Sequence, residues 1–578
     1  IIFFKNIYLK KMSNPRYYFI IILIGMIFHL LFGYSIFDIY FRFPLDYGMT
    51  PHSSNLSEDE IPSNRIAIFI LDGIRVDTFF ESVASGKAPF LRNIIENRGV
   101  YGICNTKVPT ETKPGFTAMF SGHFEDASLA LIDLYNGDIM SDSIFNESNY
   151  AWGIGVDACM FAEGADNMDC VPFEGMQDYS DANAEKNDIK VFTTMMELFE
   201  KANQDKNSEL YKNLHKNKIS FLYHLIQTDT IGHKDGPKSQ RLLNHIIEMD
   251  SYFQKIEKAF NDFYQDSKTT FIITADHGMD IRHAHGDGNP ECTRLPFVAW
   301  GTGIRKPIKR EQKPPEEDTP SEWGLDNLVR HDISQIDIAP LSAGLIGSNF
   351  PMNSLGIIPI DFLGVSNKIK SKILFGNMME LFEIYKIKND IQNKSIVFKP
   401  YKPLINPEKK INDIQNDINN EKYEEALEKT NKLINIILDG MNYILHYDRL
   451  YLQTLVTIGY VLWMIYIFIF VEMKNNGNLR KFFFFTCEEI KSTIISGVLT
   501  LILCIYLYIR LSPFTYYLYT LFSCYFLWRI LSNLKYLKLF FILDKGNKKS
   551  TLQNICNFII AFLLFLSLVS IYYLFILM

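Results

Sequence analysis

Cysteine is scarce where a disulfide framework would need it. Of the eight cysteines in 578 residues, only Cys104, Cys159, Cys170 and Cys292 fall in the long polar stretch from about 40 to 445. Four are too few for a disulfide scaffold, although Cys159 and Cys170 close a short loop and are the expected bridge. An excess of positive charge is lacking too: the formal net charge is −7, which argues against nucleic acid as a partner. The same stretch has no internal repeat, and its composition is that of a soluble domain.

What the polar stretch lacks, the ends have. Residues 17–36, "YYFIIILIGMIFHLLFGYSI", are uncharged and mostly apolar, about the ~20 positions that an α-helix needs to cross a ~30 Å hydrocarbon core. This run exceeds the ~7–15 residues of a signal-peptide core and no small-x-small cleavage site follows, so it reads as an uncleaved anchor. Further apolar runs lie near 451–471, 493–509, 514–532 and 555–577. Lys10, Lys11 and Arg16 precede the first run, which places the N-terminus in the cytosol and the polar stretch on the opposite side. Two later basic loops, Lys474 with Arg480 and Lys481, and Lys535 to Lys549, then also fall in the cytosol if each run crosses in turn. In that topology the sequons at Asn55, Asn146 and Asn393 are expected to be glycosylated. Met12 reads as a more natural start than Ile1, and the chain stops within an apolar run at Met578, so both ends read as open to extension.

Within the polar stretch, "RIAIFIL" (65–71), "ISFLYHLI" (219–226), "TTFIIT" (269–274) and "LPFVAW" (295–300) are continuous apolar runs between helix-like patterns, as expected of buried parallel strands. Three of them lead into carboxylates: Asp72; Asp229; and Asp276 followed by His277. Ligands collect beyond the carboxyl ends of strands in open α/β sheets, so one shared site is expected.

The chemistry-bearing groups are Asp72, then Asp229 and His233 in "DTIGH", then Asp276, His277 and His285 in "TADHGMDIRHAHGDG". Carboxylates and neutral imidazoles in this number suit two divalent metal ions, Zn2+ or, less well, Mn2+. Such a pair activates a hydroxyl and holds the two outer oxygens of an in-line phosphoryl displacement. The hydroxyl is expected from one of the threonines of "PTETKPG" (109–115), on a turn into a helix whose N-terminus attracts phosphate. Each piece alone has a plainer reading: D-x-x-x-H as a surface pair, "PTET" as a capped turn. Their joint occurrence at strand ends favours two-metal phosphoryl chemistry.

The order of these motifs resembles the alkaline phosphatase superfamily, including its nucleotide pyrophosphatase/phosphodiesterase branch. Longer stretches, among them "FILDGIRVDTFF", "PTETKPGF", "HLIQTDTIGHKDGP", "QIDIAPLSAGLIGSNFPMNSLGIIP" and "YDRLYLQTLVTIGYVLWMIY", are similar to the GPI ethanolamine phosphate transferases, in particular those that modify the first mannose. The resemblance runs from about 15 to 470. It implies an α/β alkaline-phosphatase-like luminal domain, a mostly parallel sheet flanked by helices, with α-helical transmembrane segments, in a multi-pass protein of the endoplasmic reticulum membrane. The implied division is a cytosolic 1–16, an anchor at 17–36, a catalytic domain at 40–400, a helical linker at 401–450 and a membrane domain of about four helices at 451–578.

The resemblance also assigns roles. Asp72, Thr112, Asp276 and His277 would hold one metal ion and Asp229, His233 and His285 the other. Thr112 would be the nucleophile, with Thr110 as fallback, and alignment on Gly286 favours His285 over His283. Thr112 would take phosphoethanolamine from phosphatidylethanolamine, and the 2-hydroxyl of the first mannose of a GPI lipid would then accept it. This chain departs from its relatives at Phe116, where they carry histidine, and at Cys292, where they carry glutamate, so altered contacts or packing are expected there. It also shows about five membrane runs where relatives have many more. Rival readings are a membrane-anchored phosphodiesterase, a transferase acting on another mannose, and a non-catalytic membrane protein that keeps the fold. A sulfatase is disfavoured because "CNTKVPTET" lacks the C/S-x-P-x-R core.

Overall fold

The computed structural model describes residues 15–40, 48–125, 141–162, 165–171, 185–310, 319–475, 479, 482 and 489–534. The chain divides into two compact units. One comprises Phe43–Lys388 and Lys402–Met441, so the stretch read from sequence as a linker contributes helices to it. The other comprises Ile1–Arg42, Asn389–Tyr401 and Asn442–Met578.

The first unit is built on one eight-stranded sheet. Its strands are β1 (Arg65–Leu71), β2 (Gly99–Asn105), β3 (Tyr150–Ile154), β4 (Met168–Val171), β5 (Ile219–Leu225), β6 (Thr269–Thr274), β7 (Arg294–Gly301) and β8 (Ile333–Ser334), in the order β4-β3-β5-β1-β6-β7-β2-β8. Every residue of β1, β5 and β6 is buried, as continuous apolar runs require when helices cover both faces. β1 lies between β5 and β6 and is parallel to both, with Arg65 level with Ile219 and Thr269. The three chains therefore emerge together at one edge, and that edge carries the site.

The fourth expected strand exists but runs the other way: β7 is antiparallel to both β6 and β2. A continuous apolar run reports burial on two faces and is silent about direction. Direction follows the connection, and residues 275–293 contain only the single helical turn Pro290–Thr293, with no helix to carry the chain across a face as a parallel return needs. Cys159 and Cys170, with Cα atoms 5.4 Å apart, form the expected disulfide.

A buried carboxyl on the helix Asn367–Asn393 makes the stability of this unit pH-dependent. Glu380 is fully buried; its Oε2 accepts the His52 N–H at 3.2 Å while Oε1 has no partner. Burial pushes this carboxyl up from 4.5 to about 8; the His52 N–H opposes the shift, and nearby Asp142, Glu147 and Glu383 add to it. The folded state thus keeps a proton that the unfolded chain releases, so stability is full below about 4.5 and falls as pH rises towards about 8. Glu380→Gln, which mimics the neutral form, is expected to melt with the parent at pH 5 and about 3 °C or more above it at pH 8.5, read by thermal denaturation.

In the second unit, the described helices are Pro15–Tyr40, Arg449–Asn475, Ile490–Ile509 and Phe514–Ser532. Among the described residues, three stretches are long and apolar enough to cross a membrane: Pro15–Ile39, Tyr423–Lys474 and Ile490–Ile509. Phe514–Ser532 is helical but not among these three; it carries Arg529, buried and bonded to Glu489 at 3.1 Å. Phe28 stacks on Trp463 at 5.4 Å and meets Phe526 edge-on at 5.1 Å, while Phe19 and Leu30 point outward, 68% and 74% exposed. The apolar run at 555–577 and the basic loop at 535–549 lie outside the described residues.

Candidate metal centre

Each strand end delivers its own part. β1 stops at Leu71 and gives Asp72, followed by Gly73 in the left-handed region at φ +69°. A Cβ on Gly73 would stand 2.6 Å from Asp229 Oδ1, so only glycine lets these segments close on one another. β5 leads into the helix Gln227–Asp235, where Asp229 and His233, four apart, share a face. After β6 come Asp276 and His277, then a loop returning His283 and His285. Thr112 opens the helix Thr112–Ser121 from an extended Glu111. Gly115 seats that helix on the end of β6, since a Cβ there would stand 2.5 Å from the Asp276 carbonyl oxygen.

All seven side chains named from sequence converge. His277 Nε2 lies 3.3 Å from Asp72 Oδ1, 3.7 Å from Asp276 Oδ2 and 3.5 Å from Thr112 Oγ1. His233 Nε2 is 3.4 Å from Asp229 Oδ2 and 3.1 Å from His285 Nε2. Asp229, His233 and His285 offer ligand atoms within 4.8 Å of one another, and so do Asp72, Asp229 and His277. A third such group, Asp72, His224 and Asp276, includes a histidine that the sequence reading passed over. The only signal was one imidazole inside the apolar run "ISFLYHLI".

The donor set fits cations. Asp72 Oδ1, Asp229 Oδ1 and Asp276 Oδ2 are buried without hydrogen-bond partners, and an orphaned carboxylate oxygen is costly unless a cation meets it. Burial, then the charges of Asp276 and Asp229, push the Asp72 carboxyl well above the ordinary range. Burial likewise raises Asp229, against the pull of His277, His233 and His285. Asp276 is held low: burial works against its charge, and His277 and His224 outweigh it. Burial also disfavours a charged His285, but the bond to Glu111 and the charges of Glu111 and Asp229 prevail, lifting it to about 9. Protons are thus held where divalent ions would supply the same neutralisation.

Two imidazoles are aimed through their Nδ1 atoms. His285 Nδ1 meets the Thr110 carbonyl oxygen at 3.0 Å and Glu111 Oε2 at 3.2 Å; His233 Nδ1 meets the His283 carbonyl oxygen at 2.8 Å. In both, Nε2 is left towards the cluster, the arrangement that orients a metal-binding histidine. His283 acts through its backbone, and its own Nδ1 turns to the His233 carbonyl oxygen at 3.2 Å.

The two threonines separate by their bonds. Thr110 is buried; its hydroxyl accepts the Gly286 N–H and donates to the Asp287 carbonyl, both at 2.8 Å. It is a clamp on the loop that carries His285. Thr112 Oγ1 faces the cluster instead, with His277 Nε2 at 3.5 Å. Thr110→Val orphans two backbone groups at ~1–3 kcal/mol each. It is expected to lower the melting temperature by several degrees, as thermal denaturation would read.

Both departures from the resemblance are interior. Phe116, fully buried, meets His224 edge-on at 5.0 Å and Phe120 at 5.5 Å. Cys292 is buried, with its thiol 3.8 Å from the Ala284 carbonyl oxygen.

Two segments of the chain match known families. The family model of Type I phosphodiesterase / nucleotide pyrophosphatase matches residues 140–285, and that of Phosphatidylinositolglycan class N (PIG-N) matches residues 439–576. GPI ethanolamine phosphate transferase 1 of Mus musculus is 36% identical over 519 residues, 86% of this chain and 54% of its own length. That of Schizosaccharomyces pombe is 36% identical over 527 residues, 88% of this chain and 55% of its own length. The chain spans about half the length of the curated relatives it matches. Among solved structures it is similar to a protein in the alkaline phosphatase superfamily from Vibrio parahaemolyticus, 12% identical with a TM-score of 0.37 over 62% of this chain and 81% of that one. Along most of its own length the chain is similar to GPI ethanolamine phosphate transferase 1, with a segment that matches the Type I phosphodiesterase / nucleotide pyrophosphatase model followed by one that matches the PIG-N model.

Proposed function

We propose that the chain transfers phosphoethanolamine from phosphatidylethanolamine to the first mannose of a GPI precursor, at a two-metal site on the luminal side of the endoplasmic reticulum membrane. The observation that carries this reading is a single hydroxyl, Thr112 Oγ1, set among orphaned carboxylate oxygens and aimed imidazoles at the head of a helix. Asp72, Thr112, Asp276 and His277 would hold one ion and Asp229, His233 and His285 the other. Bound there, Zn2+ or Mn2+ would lower the pKa of a coordinated hydroxyl and neutralise charge on the phosphoryl oxygens.

The chain's own groups do the rest. Thr112 Oγ forms a bond to phosphorus as the bond to diacylglycerol oxygen breaks, and diacylglycerol leaves with a proton. The mannose hydroxyl then bonds to phosphorus as the bond to Thr112 breaks, and the proton it loses returns Thr112 Oγ1 to the hydroxyl form. The helix N-terminus under Thr112 favours the phosphoryl group's negative charge in both steps. Glu111 and the Thr110 carbonyl keep His285 aimed, and the buried carboxylates fix geometry at the cost of their own desolvation.

The test is transfer by the purified full chain in detergent, supplied with phosphatidylethanolamine labelled in the ethanolamine and with GPI lipids bearing one, two or three mannoses. Label on the first mannose of all three is expected. Label only on a later mannose would change the acceptor, and label released as free phosphoethanolamine with no acceptor dependence would make the chain a phosphodiesterase.

A further inference from the structure

We propose that His224 is a positioning residue for the metal centre, donating to one oxygen of Asp72 so that the other faces the ion. The inference rests on the metal reading above.

His224 sits in β5, level with Ile70 of β1, and its side chain is wholly shielded from solvent. Its Nε2 lies 3.1 Å from Asp72 Oδ2. On the other side of the ring, the backbone N–H of Asp157 donates to Nδ1 at 3.3 Å. A nitrogen that accepts an N–H bond carries no proton, so the proton of this imidazole is on Nε2 and points at Asp72. The Asp157 carboxylate, 3.6 Å from Nδ1, is too distant to reverse that assignment.

The same tautomer decides what His224 is not. Grouped with Asp72 and Asp276 it has the spacing of a metal ligand, but one nitrogen's lone pair is engaged by Asp157 and the other nitrogen bears the proton. Neither is available to an ion. Asp72, by contrast, has Oδ2 occupied and Oδ1 bare, and Oδ1 is the oxygen that faces His277 Nε2 at 3.3 Å.

Three features hold the imidazole still. Gly155, at φ +124°, lets the chain leaving β3 pass directly over it; a Cβ there would stand 2.5 Å from the His224 carbonyl oxygen and 2.9 Å from its Cβ. That passage delivers the turn Asp157–Phe161, whose Cys159 is bonded to Cys170. Phe116, on the helix that begins with Thr112, closes the ring's other flank edge-on at 5.0 Å. Phe116 offers no hydrogen-bonding group there, and the hydrogen-bonding partners described for the His224 ring are Asp157 and Asp72. A carboxylate held in this way loses about 10–100-fold in metal affinity when its partner is removed.

The test uses the full chain in detergent, stripped of metal, titrated with Zn2+ against a chromophoric chelator, with thermal melting of each metal-free protein as the folding control. The parent is expected to bind two equivalents. His224→Leu is expected to weaken one of the two sites about 10–100-fold, whereas His224→Gln, whose amide N–H reaches the place of Nε2–H, stays within about threefold. If the leucine variant does not fold, His224→Asn, polar but too short to reach Asp72, is expected to show the same loss. Unchanged affinity in the leucine or asparagine variant, or equal loss in the glutamine variant, overturns the proposal in favour of ring packing. A parent that binds no Zn2+ overturns the metal reading and this inference with it.

Discussion

Thr112→Ala is expected to abolish transfer, lowering its rate by roughly 10^4-fold or more, as removal of a covalent nucleophile does. The chain should remain folded, because Thr112 is half-exposed and its nearest described side-chain partner is an imidazole at 3.5 Å, beyond a good hydrogen bond. Thr112→Ser is expected to keep the covalent step, slowed within about 100-fold, since it retains the oxygen but loses the β-branch that limits its rotamers. The measurement is single-turnover incubation with labelled phosphatidylethanolamine: parent and serine variant accumulate label on the chain when acceptor is withheld, and the alanine variant does not. Label retained on the alanine variant would move the nucleophile elsewhere. Thr110 would be a poor second choice, because both hydrogen-bonding capacities of its hydroxyl are engaged by the Gly286–Asp287 loop. Restoration of GPI-anchored protein at the surface of cells lacking their own first-mannose transferase gives the same comparison in a membrane.

Stripping metal with a chelator should have an effect of similar size, about 10^3-fold or more on transfer, restored by Zn2+ or Mn2+ and not by Mg2+. The reason lies in the donors. Three carboxylates meet in one buried cluster, each with an oxygen lacking a hydrogen-bond partner, beside three imidazoles whose Nε2 atoms face inward. Without ions the cluster must retain protons, which is the state that a raised Asp72 and a charged His285 describe. Ligand binding to the folded state alone adds stability by mass action, so melting temperature should rise on adding Zn2+ and fall on chelation. Asp229→Asn removes charge from the carboxylate that faces Nε2 of both His233, at 3.4 Å, and His285, at 3.9 Å, and should weaken that response and leave one equivalent bound. A chain that keeps full transfer after exhaustive chelation would remove the two-metal reading.

Much of the fold was legible because burial is written locally. Runs such as "RIAIFIL" and "TTFIIT" are apolar without alternation, and an acid within three residues of such a run marks a strand end facing a site. Asp72, Asp229 and Asp276 were legible for that reason, and His233 because a spacing of four is one helical turn. The run 17–36 was legible from length alone. Strands β2, β3, β4 and β8 were not read: β4 and β8 are short, and β2 and β3 carry glycines that blur the pattern.

The amino-acid order alone therefore carried the strands around the site, the acids and imidazoles at their ends and a threonine-bearing turn, since each depends on neighbours within a turn or a strand. The fold had to decide the rest. β7 runs antiparallel because no helix follows β6 to cross the sheet. Thr110 clamps while Thr112 faces the cluster because Gly286, 176 residues further on, claims the first hydroxyl. His224 serves Asp72, 152 residues away, because a glycine lets Asp157 reach the far nitrogen of its ring. Which nitrogen holds a proton, and which hydroxyl is available, are properties of partners brought together by the closed sheet, and no local pattern encodes them.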